Sequence, residues 1–437
     1  MGGTNTKLYI IFAVLFLIYG LARVAFNLSA LSKPRELADT TAYLRISTRP
    51  LLDVEFWGSE RPFVFPLLLK ISQQDVSTAA ALQLGFSILI WGFLALATSA
   101  SLRTLWLRPF AFALILALSL VRHLASWDFV MLTESLSVSL FALFLAAGIW
   151  LLHGWRPDKV IALVLIGFFL AFTRDTNAYL LLMLAGLLLI AVLLRWTKPR
   201  ALILVASSVL IFFLSNSNAN ISKRWLFPLT NIIGRRVLPN AQAVTFFESC
   251  GMPVTPELVS LTGEFANGND RAFYSDPALA DFRNWLGEHG KSCYMRWLLS
   301  DPVHSIRESL TEFEGLIAFS KVATFFSRRY EPLLPWRVEQ LLYFTHFALI
   351  LLGILTLAAL ISIWNRAWQA NPLWGTYIFL CLPIFPHLFI TWHGDAMAPE
   401  RHALSVGLQL TLCFWILFSL FGDRILLSII QRRVKEK

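Results

Sequence analysis

Residues 32–66, SKPRELADTTAYLRISTRPLLDVEFWGSERPFVFP, lie between two apolar runs, 8–26 and 78–100. Each run is long enough to cross a bilayer as a helix, which takes about 20 predominantly apolar residues. The stretch between them carries five carboxylates, Glu36, Asp39, Asp53, Glu55 and Glu60, and four arginines, Arg35, Arg45, Arg49 and Arg61. A connector that only joins two spans needs none of these. A loop of about 35 residues with opposed charges and with Phe56, Trp57, Phe63 and Phe65 reads as a functional or interfacial segment. Asp39 is its expected chemical centre.

Working outward, the apolar pattern recurs. Ten spans are expected: 8–26, 78–100, 109–124, 132–152, 160–172, 178–194, 201–214, 341–364, 373–390 and 403–421. Residues 62–70 are expected to enter the interface without crossing. The chain is 57% hydrophobic and 15% charged, with mean hydropathy +0.64, whereas soluble domains run nearer 25% charged. The fold class is therefore an all-α polytopic membrane protein, one transmembrane domain over 1–437 with interfacial or re-entrant outer loops. The net charge of +10 then reads as membrane topology and contact with anionic lipid, with no nucleic acid implied. The first run is long and lacks a small-residue cleavage site, so it reads as a retained helix and not a cleaved signal.

Orientation follows from the connectors. With a cytoplasmic N-terminus, the inner loops hold Arg103 and Arg108, Arg156 and Lys159, then Arg195, Lys198 and Arg200, then Arg366. The basic tail 422–437 adds Arg424, Arg432, Arg433, Lys435 and Lys437, which makes both termini cytoplasmic under the positive-inside rule. Of the 27 Asp and Glu residues, only Asp158, Asp423 and Glu436 fall inside. The polar chemistry thus gathers on the outer, periplasm-like face, where a transporter would more usually place it near the midplane. The first outer loop covers 30–77, and the one large hydrophilic segment, 215–340, is also outside. Helical patches are expected at 276–288 and 303–319. The second, with Ile306, Leu310, Phe313 and Ile317 on one face, is expected to lie along the membrane surface. Cys250 and Cys293 fall in this segment. They could close a disulfide worth roughly 3–4 kcal/mol, or remain buried thiols.

Five outer clusters carry candidate chemistry, and each also has a structural reading. Asp39-Thr40-Thr41-Ala42-Tyr43 could supply a general base or an N-cap for a helix over 40–46. In Arg61-Pro62-Phe63-Val64-Phe65-Pro66-Leu67-Leu68-Leu69, the arginine stands at headgroup height, where snorkelling alone would explain it. Thr133-Glu134-Ser135-Leu136 opens a span: Glu134 suits the helix dipole, or faces the bundle as a costly intramembrane acid. In Thr173-Arg174-Asp175-Thr176-Asn177, Arg174 could pair with Asp175 or hold a phosphate, and Asp175 or Thr176 could cap the next helix. The last cluster runs from His393 to His402. His393, Asp395 and His402 could hold a metal, but their spacing matches no zinc pattern, and Arg401 is the better candidate as a phosphate ligand. Together the clusters offer carboxylates for a base, arginines for a phosphate, and lipid-facing helices for a hydrophobic tail.

An acidic first outer loop of the form D-x-x-x-Y (Asp39, Tyr43), an R-P-x-x-x-P-L-L-L re-entry (residues 61–69), a T-E-x-L helix start (Thr133, Glu134) and a late outer E-R-H (Glu400, Arg401, His402) resemble the GT-C superfamily. These are polyprenyl-phosphate-sugar-dependent membrane glycosyltransferases akin to protein O-mannosyltransferases and lipid A aminoarabinose transferases. The resemblance covers best the first 200 residues or so. It implies Asp39 as the base and Arg401, Arg61 and Arg174 near the donor phosphate. Glu36, Tyr43, Glu134, Asp175, His393, Asp395 and Glu400 are supporting candidates. The family's paired acid is often adjacent (D-E), whereas Glu36 and Asp39 are three apart here, and no separate C-terminal soluble domain is expected. The implied activity is inverting transfer from a polyprenyl-phosphate-linked sugar to a hydroxyl of a glycan, lipid or protein. No cofactor is required by the sequence and no metal site is indicated, with a divalent cation left open as an alternative. The alternatives are a lipid-linked polysaccharide polymerase or ligase working through Arg235, Arg236 and Arg271, or a non-enzymatic lipid-linked sugar transporter.

Overall fold

The computed structural model describes residues 2–369 and 371–435. Among them it has helices and no strand, only an isolated bridge between Arg35 and Val130. Seven helices are long and apolar enough to cross a membrane: Thr6–Ala25, Val76–Ala100, Glu134–His153, Asp175–Leu193, Pro199–Ile221, Pro372–Gly394 and Leu404–Arg432. The chain is a multi-pass helical membrane protein.

The other three expected spans take different forms. The run 109–124 becomes Leu107–Ser119, bent by 55° into Arg122–Phe129. The run 160–172 is the 15-residue helix Pro157–Ala171. The run 341–364 shortens to the 17-residue Ala348–Trp364, because Phe347 before it has φ 58°, in the left-handed region, which separates it from Trp336–Leu342. The expected tail is not a separate segment either: the last helix continues from Leu404 to Lys435, while Glu436 and Lys437 lie outside the described residues. Asp423 on that helix accepts from the Arg103 N–H (3.2 Å) and the Thr104 N–H (2.7 Å), so the last helix is tied to the loop at 101–106.

Glu134–His153 sits at the middle of the bundle. It packs on Val76–Ala100, on Pro157–Ala171 and on Pro372–Cys381, and is apolar around most of its circumference, as a helix enclosed by others must be. Thr6–Ala25 lies at the edge, with only 17% of its apolar window buried. Two features hold it there. Gly92 has no side chain where the Phe16 ring packs: a Cβ there would stand 2.4 Å from the ring. Arg23 and Asp128 form an ion pair, each side chain 2% exposed. Arg23 also donates to Tyr19 Oη (2.8 Å) and Ser87 Oγ (3.2 Å), and Asp128 accepts from Ser135 Oγ at 2.5 Å. A charge at this depth is tolerable only when paired and hydrogen-bonded.

The segment 215–340, expected from the sequence to be the outer one, has its own core around Phe247, Phe273, Phe282 and Trp285. Cys250 and Cys293 are joined in a disulfide with Cα atoms 6.0 Å apart. Of the two helical patches expected here, 276–288 is helical from Pro277 on, running without a gap through Pro277–Leu279, Ala280–Trp285 and Leu286–Gly290, and the other is broken. Residues 303–319 divide into Pro302–Thr311 and Phe313–Ile317. The break turns Phe313 and Ile317 into the core of the bundle, while Ile306 stays 39% exposed. The expected single apolar stripe therefore does not exist, since burying Phe313 outweighs continuing one surface helix.

Arg23→Met leaves Asp128 buried without its cation and should cost about 3–5 kcal/mol, read as a lowered unfolding midpoint in detergent. Arg23→Met combined with Asp128→Leu should recover most of that loss. Non-reducing mass spectrometry of the purified protein should find the Cys250–Cys293 peptide pair linked, and free alkylation of both thiols under native, non-reducing conditions would contradict it.

Candidate functional site

The helix Ala38–Ser47 is pinned at its start to the connector that precedes the central span. Arg35 N–H donates to Phe129 O (2.8 Å), and Met131 N–H donates to Arg35 O (2.9 Å). Thr40 Oγ1 accepts from Leu37 N–H (2.9 Å) and donates to Met131 O (2.9 Å). Leu37, not Asp39, occupies the N-cap position. The Asp39 carboxylate is thus free of capping and faces two guanidinium groups, Arg61 Nη2 at 2.6 Å and Arg401 Nη2 at 3.2 Å. Arg61, which snorkelling could have explained, is an ion-pair partner whose guanidinium also lies 5.7 Å from the Tyr43 ring centre.

Glu134 is fully buried at the start of the central span. Its Oε1 lies 2.9 Å from Arg401 Nε and 3.3 Å from Arg174 Nη1. These are charge contacts without hydrogen-bond alignment, and neither carboxylate oxygen has a hydrogen-bond partner. Arg174 has extended backbone just before Asp175–Leu193. It donates to His402 Nδ1 (2.5 Å) and to the Arg401 carbonyl (3.4 Å). Arg61, Asp39, Arg401, Glu134, Arg174 and His402 thus form one continuous polar chain.

Asp175 does not pair with Arg174. It takes both Nε and Nη2 of Arg224, at 3.1 and 2.8 Å, because the buried Glu134 already claims Arg174. Asp395 accepts from Asn231 Nδ2 (2.9 Å) and Met397 N–H (2.8 Å), with His402 Nε2 at 3.8 Å. His393 turns away towards Tyr294 Oη (3.3 Å) and Ser305 O (3.0 Å), and so joins the outer segment to the bundle. Among the described residues no three His, Cys, Asp or Glu side chains are grouped to hold a metal. Glu36 is exposed, and neither it nor Glu400 lines the cleft described next.

Above this chain opens a cleft of about 750 Å³, lined by Asp39, Tyr43, Arg61, Arg174, Asp395 and Arg401 among others. Lysine and arginine outnumber aspartate and glutamate in its lining by seven to four, which favours an anionic ligand. Thr391, fully enclosed at the cleft wall, has a hydroxyl without a partner. Burial pulls the Arg174 guanidinium below its usual range despite Glu134. Burial acts on Arg401 too, but Glu134 and Asp39 more than offset it. Burial, then Arg174, Arg401 and Arg61, hold His402 well below the usual imidazole range. It is therefore neutral, with its proton on Nε2, since Nδ1 accepts from Arg174. Burial raises the Tyr43 phenol and the Asp395 carboxyl.

The sequence reading missed Lys223, Arg224 and Tyr274, which line the cleft from the outer segment. A signal for the first two was present: Lys223 and Arg224 are cations where the topology expected from the sequence puts the outer end of a span, against the positive-inside trend. Of the three loop arginines named for a polymerase, only Arg271 lines the cleft. Arg235 donates to Gly263 O (2.6 Å), and Arg236 lies 3.7 Å from the Trp392 ring centre.

Because His402 takes up a proton less readily folded than unfolded, the unfolded chain protonates first as the pH falls. Its contribution to stability is complete above about pH 6.5 and declines below it. The unfolding midpoint in detergent should fall on acidification through this range, and His402→Asn, which keeps an acceptor for Arg174, should flatten that slope. An unchanged slope would contradict the neutral assignment.

No known family's sequence profile matches this chain and no curated protein is significantly similar to it, so its activity has to be argued from the geometry of the cleft.

Proposed function

We propose that this protein is an inverting, polyprenyl-phosphate-sugar-dependent glycosyltransferase of the GT-C type, with its active site on the outer face of the membrane. The observation that carries the reading is the convergence of Asp39 and Glu134 with Arg61, Arg174 and Arg401 at one end of an apolar bundle, beside a cleft with an excess of positive charge. Seven helices are long and apolar enough to cross, or eight with the bent pair, and ten crossings would further need the shorter Pro157–Ala171 and Ala348–Trp364 to span.

The donor's lipid tail stays in the bilayer, and its phosphate meets the arginines. Each guanidinium has five N–H donors, so Arg61 and Arg401 retain donors beyond those spent on Asp39. Asp39 accepts the proton of the acceptor hydroxyl. The acceptor oxygen attacks the anomeric carbon from the face opposite the phosphate, and a new C–O bond forms there as the bond to the phosphate oxygen breaks. The electron pair of the broken bond leaves with polyprenyl phosphate, where the arginines neutralise the developing charge. Glu134 holds Arg174 and Arg401 in place. That Arg235 and Arg236 are engaged in structural contacts favours this reading over a polymerase that relies on them.

The test is transfer in vitro from a panel of polyprenyl-phosphate sugars. Asp39→Asn should lower turnover by roughly 10²–10⁴-fold with donor binding retained, the range of general-base catalysis. Arg401→Ala should weaken donor binding and slow transfer together, because its charge faces phosphate in both ground and transition states. Arg401→Lys should recover only part, since an ammonium does not reproduce a bidentate fork. All variants must first run monodisperse in gel filtration. Transfer by Asp39→Asn at the wild-type rate would remove Asp39 as the base, and no transfer by the wild type from any donor would remove the activity.

A further inference from the structure

Of the seven basic residues that line the cleft, five are ion-paired with a carboxylate. Arg45 faces Glu60, Arg61 and Arg401 share Asp39, Arg174 faces Glu134, and Arg224 faces Asp175. Lys223 and Arg271 are different. Neither side chain has an ion pair or a hydrogen bond among the described residues, and both are exposed on the outer-segment wall of the cleft. Both also stand on left-handed backbone, with φ of 51° at Lys223 and 61° at Arg271. Residues other than glycine adopt that conformation at a cost, and it recurs at ligand sites. The turns that carry them are closed by hydrogen bonds from Lys223 N–H to Asn220 O (3.1 Å) and from Arg271 N–H to Gly268 O (2.8 Å).

Two further side chains share this wall. Tyr274 lines the cleft with its hydroxyl 3.2 Å from Thr230 Oγ1, and Asn267 is also in the lining. An aromatic ring offers a face for the C–H side of a sugar, an amide offers a donor and an acceptor for its hydroxyls, and two unpaired cations offer a seat for an anion. Arg61, Arg174 and Arg401, which face Asp39 and Glu134 on connectors of the bundle, already serve the donor phosphate, whereas Lys223 follows Leu202–Ile221 and Arg271 lies within 215–340, so these two are left for a second anion.

We propose that this wall is the acceptor subsite and that the acceptor is an anionic glycan, whose phosphate or carboxylate binds between Lys223 and Arg271. The assignment of the wall to the acceptor rests on the glycosyltransferase reading above; the existence of a second anion site does not.

The test uses the full chain in nanodiscs and equilibrium binding of four probes: maltotetraose, its 6-phosphate ester, tetragalacturonate and polyprenyl phosphate. The variant is Lys223→Asn with Arg271→Asn, because asparagine tolerates left-handed backbone and removes the charge without added strain. The wild type should bind one of the anionic tetrasaccharides about ten-fold or more tighter than maltotetraose, the margin of a charge-assisted contact, and the one preferred distinguishes phosphate from carboxylate. The double variant should lose that margin and bind polyprenyl phosphate as the wild type does, while Arg401→Ala should show the reverse. The proposal is overturned if neither anionic probe is preferred, if the double variant keeps the preference, or if it loses polyprenyl phosphate to the same extent. Should the preference appear and vanish as stated while no polyprenyl-phosphate sugar is transferred, the anion site stands and the glycosyltransferase reading falls.

Discussion

A carboxylate with no access to water must find positive charge, and Glu134 finds it in two places. Arg174 comes from the connector before Asp175–Leu193, and Arg401 from the loop before the last helix. Removing both guanidiniums would leave the buried carboxylate uncompensated, which is far costlier than losing a surface pair. Arg401 is shared with Asp39, and Asp39 is shared with Arg61. The first connector, the central span and two later connectors are therefore joined to one another through a single run of alternating charges. Each of the two carboxylates has two guanidinium partners, so the run ties the walls of the cleft together at more than one point.

The outer segment is attached to this frame by a second set of polar contacts. Arg224 grips Asp175, Asn231 reaches Asp395, Arg236 donates to Trp392 O and lies over its ring, and Tyr294 meets His393. Its own apolar core and the Cys250–Cys293 disulfide hold it together independently of the bundle. The backbone comes very close at Gly234, where a Cβ would stand 2.2 Å from the Glu264 carbonyl oxygen. Only glycine fits where that strand of chain crosses the turn. The result is a cleft with a wall built on the membrane bundle and a facing wall built on the outer segment.

Much of this was legible in the residues. Long apolar runs announced the membrane helices, because burying about 20 apolar residues in lipid overrides local detail. Asp39, Arg61, Arg174 and Arg401 were each marked by position, as charges at the outer ends of apolar runs. Glu36, Glu400 and His393 were marked by the same signal and do not reach the cleft, so adjacency in sequence was a poor guide to which charge faces inward. Arg174 and Asp175 look like a pair on paper, but a turn of helix start separates their directions, and each found a stronger partner elsewhere. Hydropathy also failed where a helix is bent, as after Ser119, or interrupted, as at Phe347, since both depend on what the neighbouring helix offers for packing.

The sequence by itself determined that this is a multi-pass helical membrane protein with connectors rich in residues of opposite charge. Those properties are sums over many residues, and solvent transfer reads them without reference to contacts. The tertiary structure alone decided which guanidinium meets which carboxylate, that Asp39 is an ion-pair partner and not a cap, and that Lys223 and Arg271 have no ion pair or hydrogen bond from their side chains among the described residues. Ion pairing here joins residues up to 362 positions apart, and at such separations the choice of partner depends on how the helices pack, which no local pattern encodes.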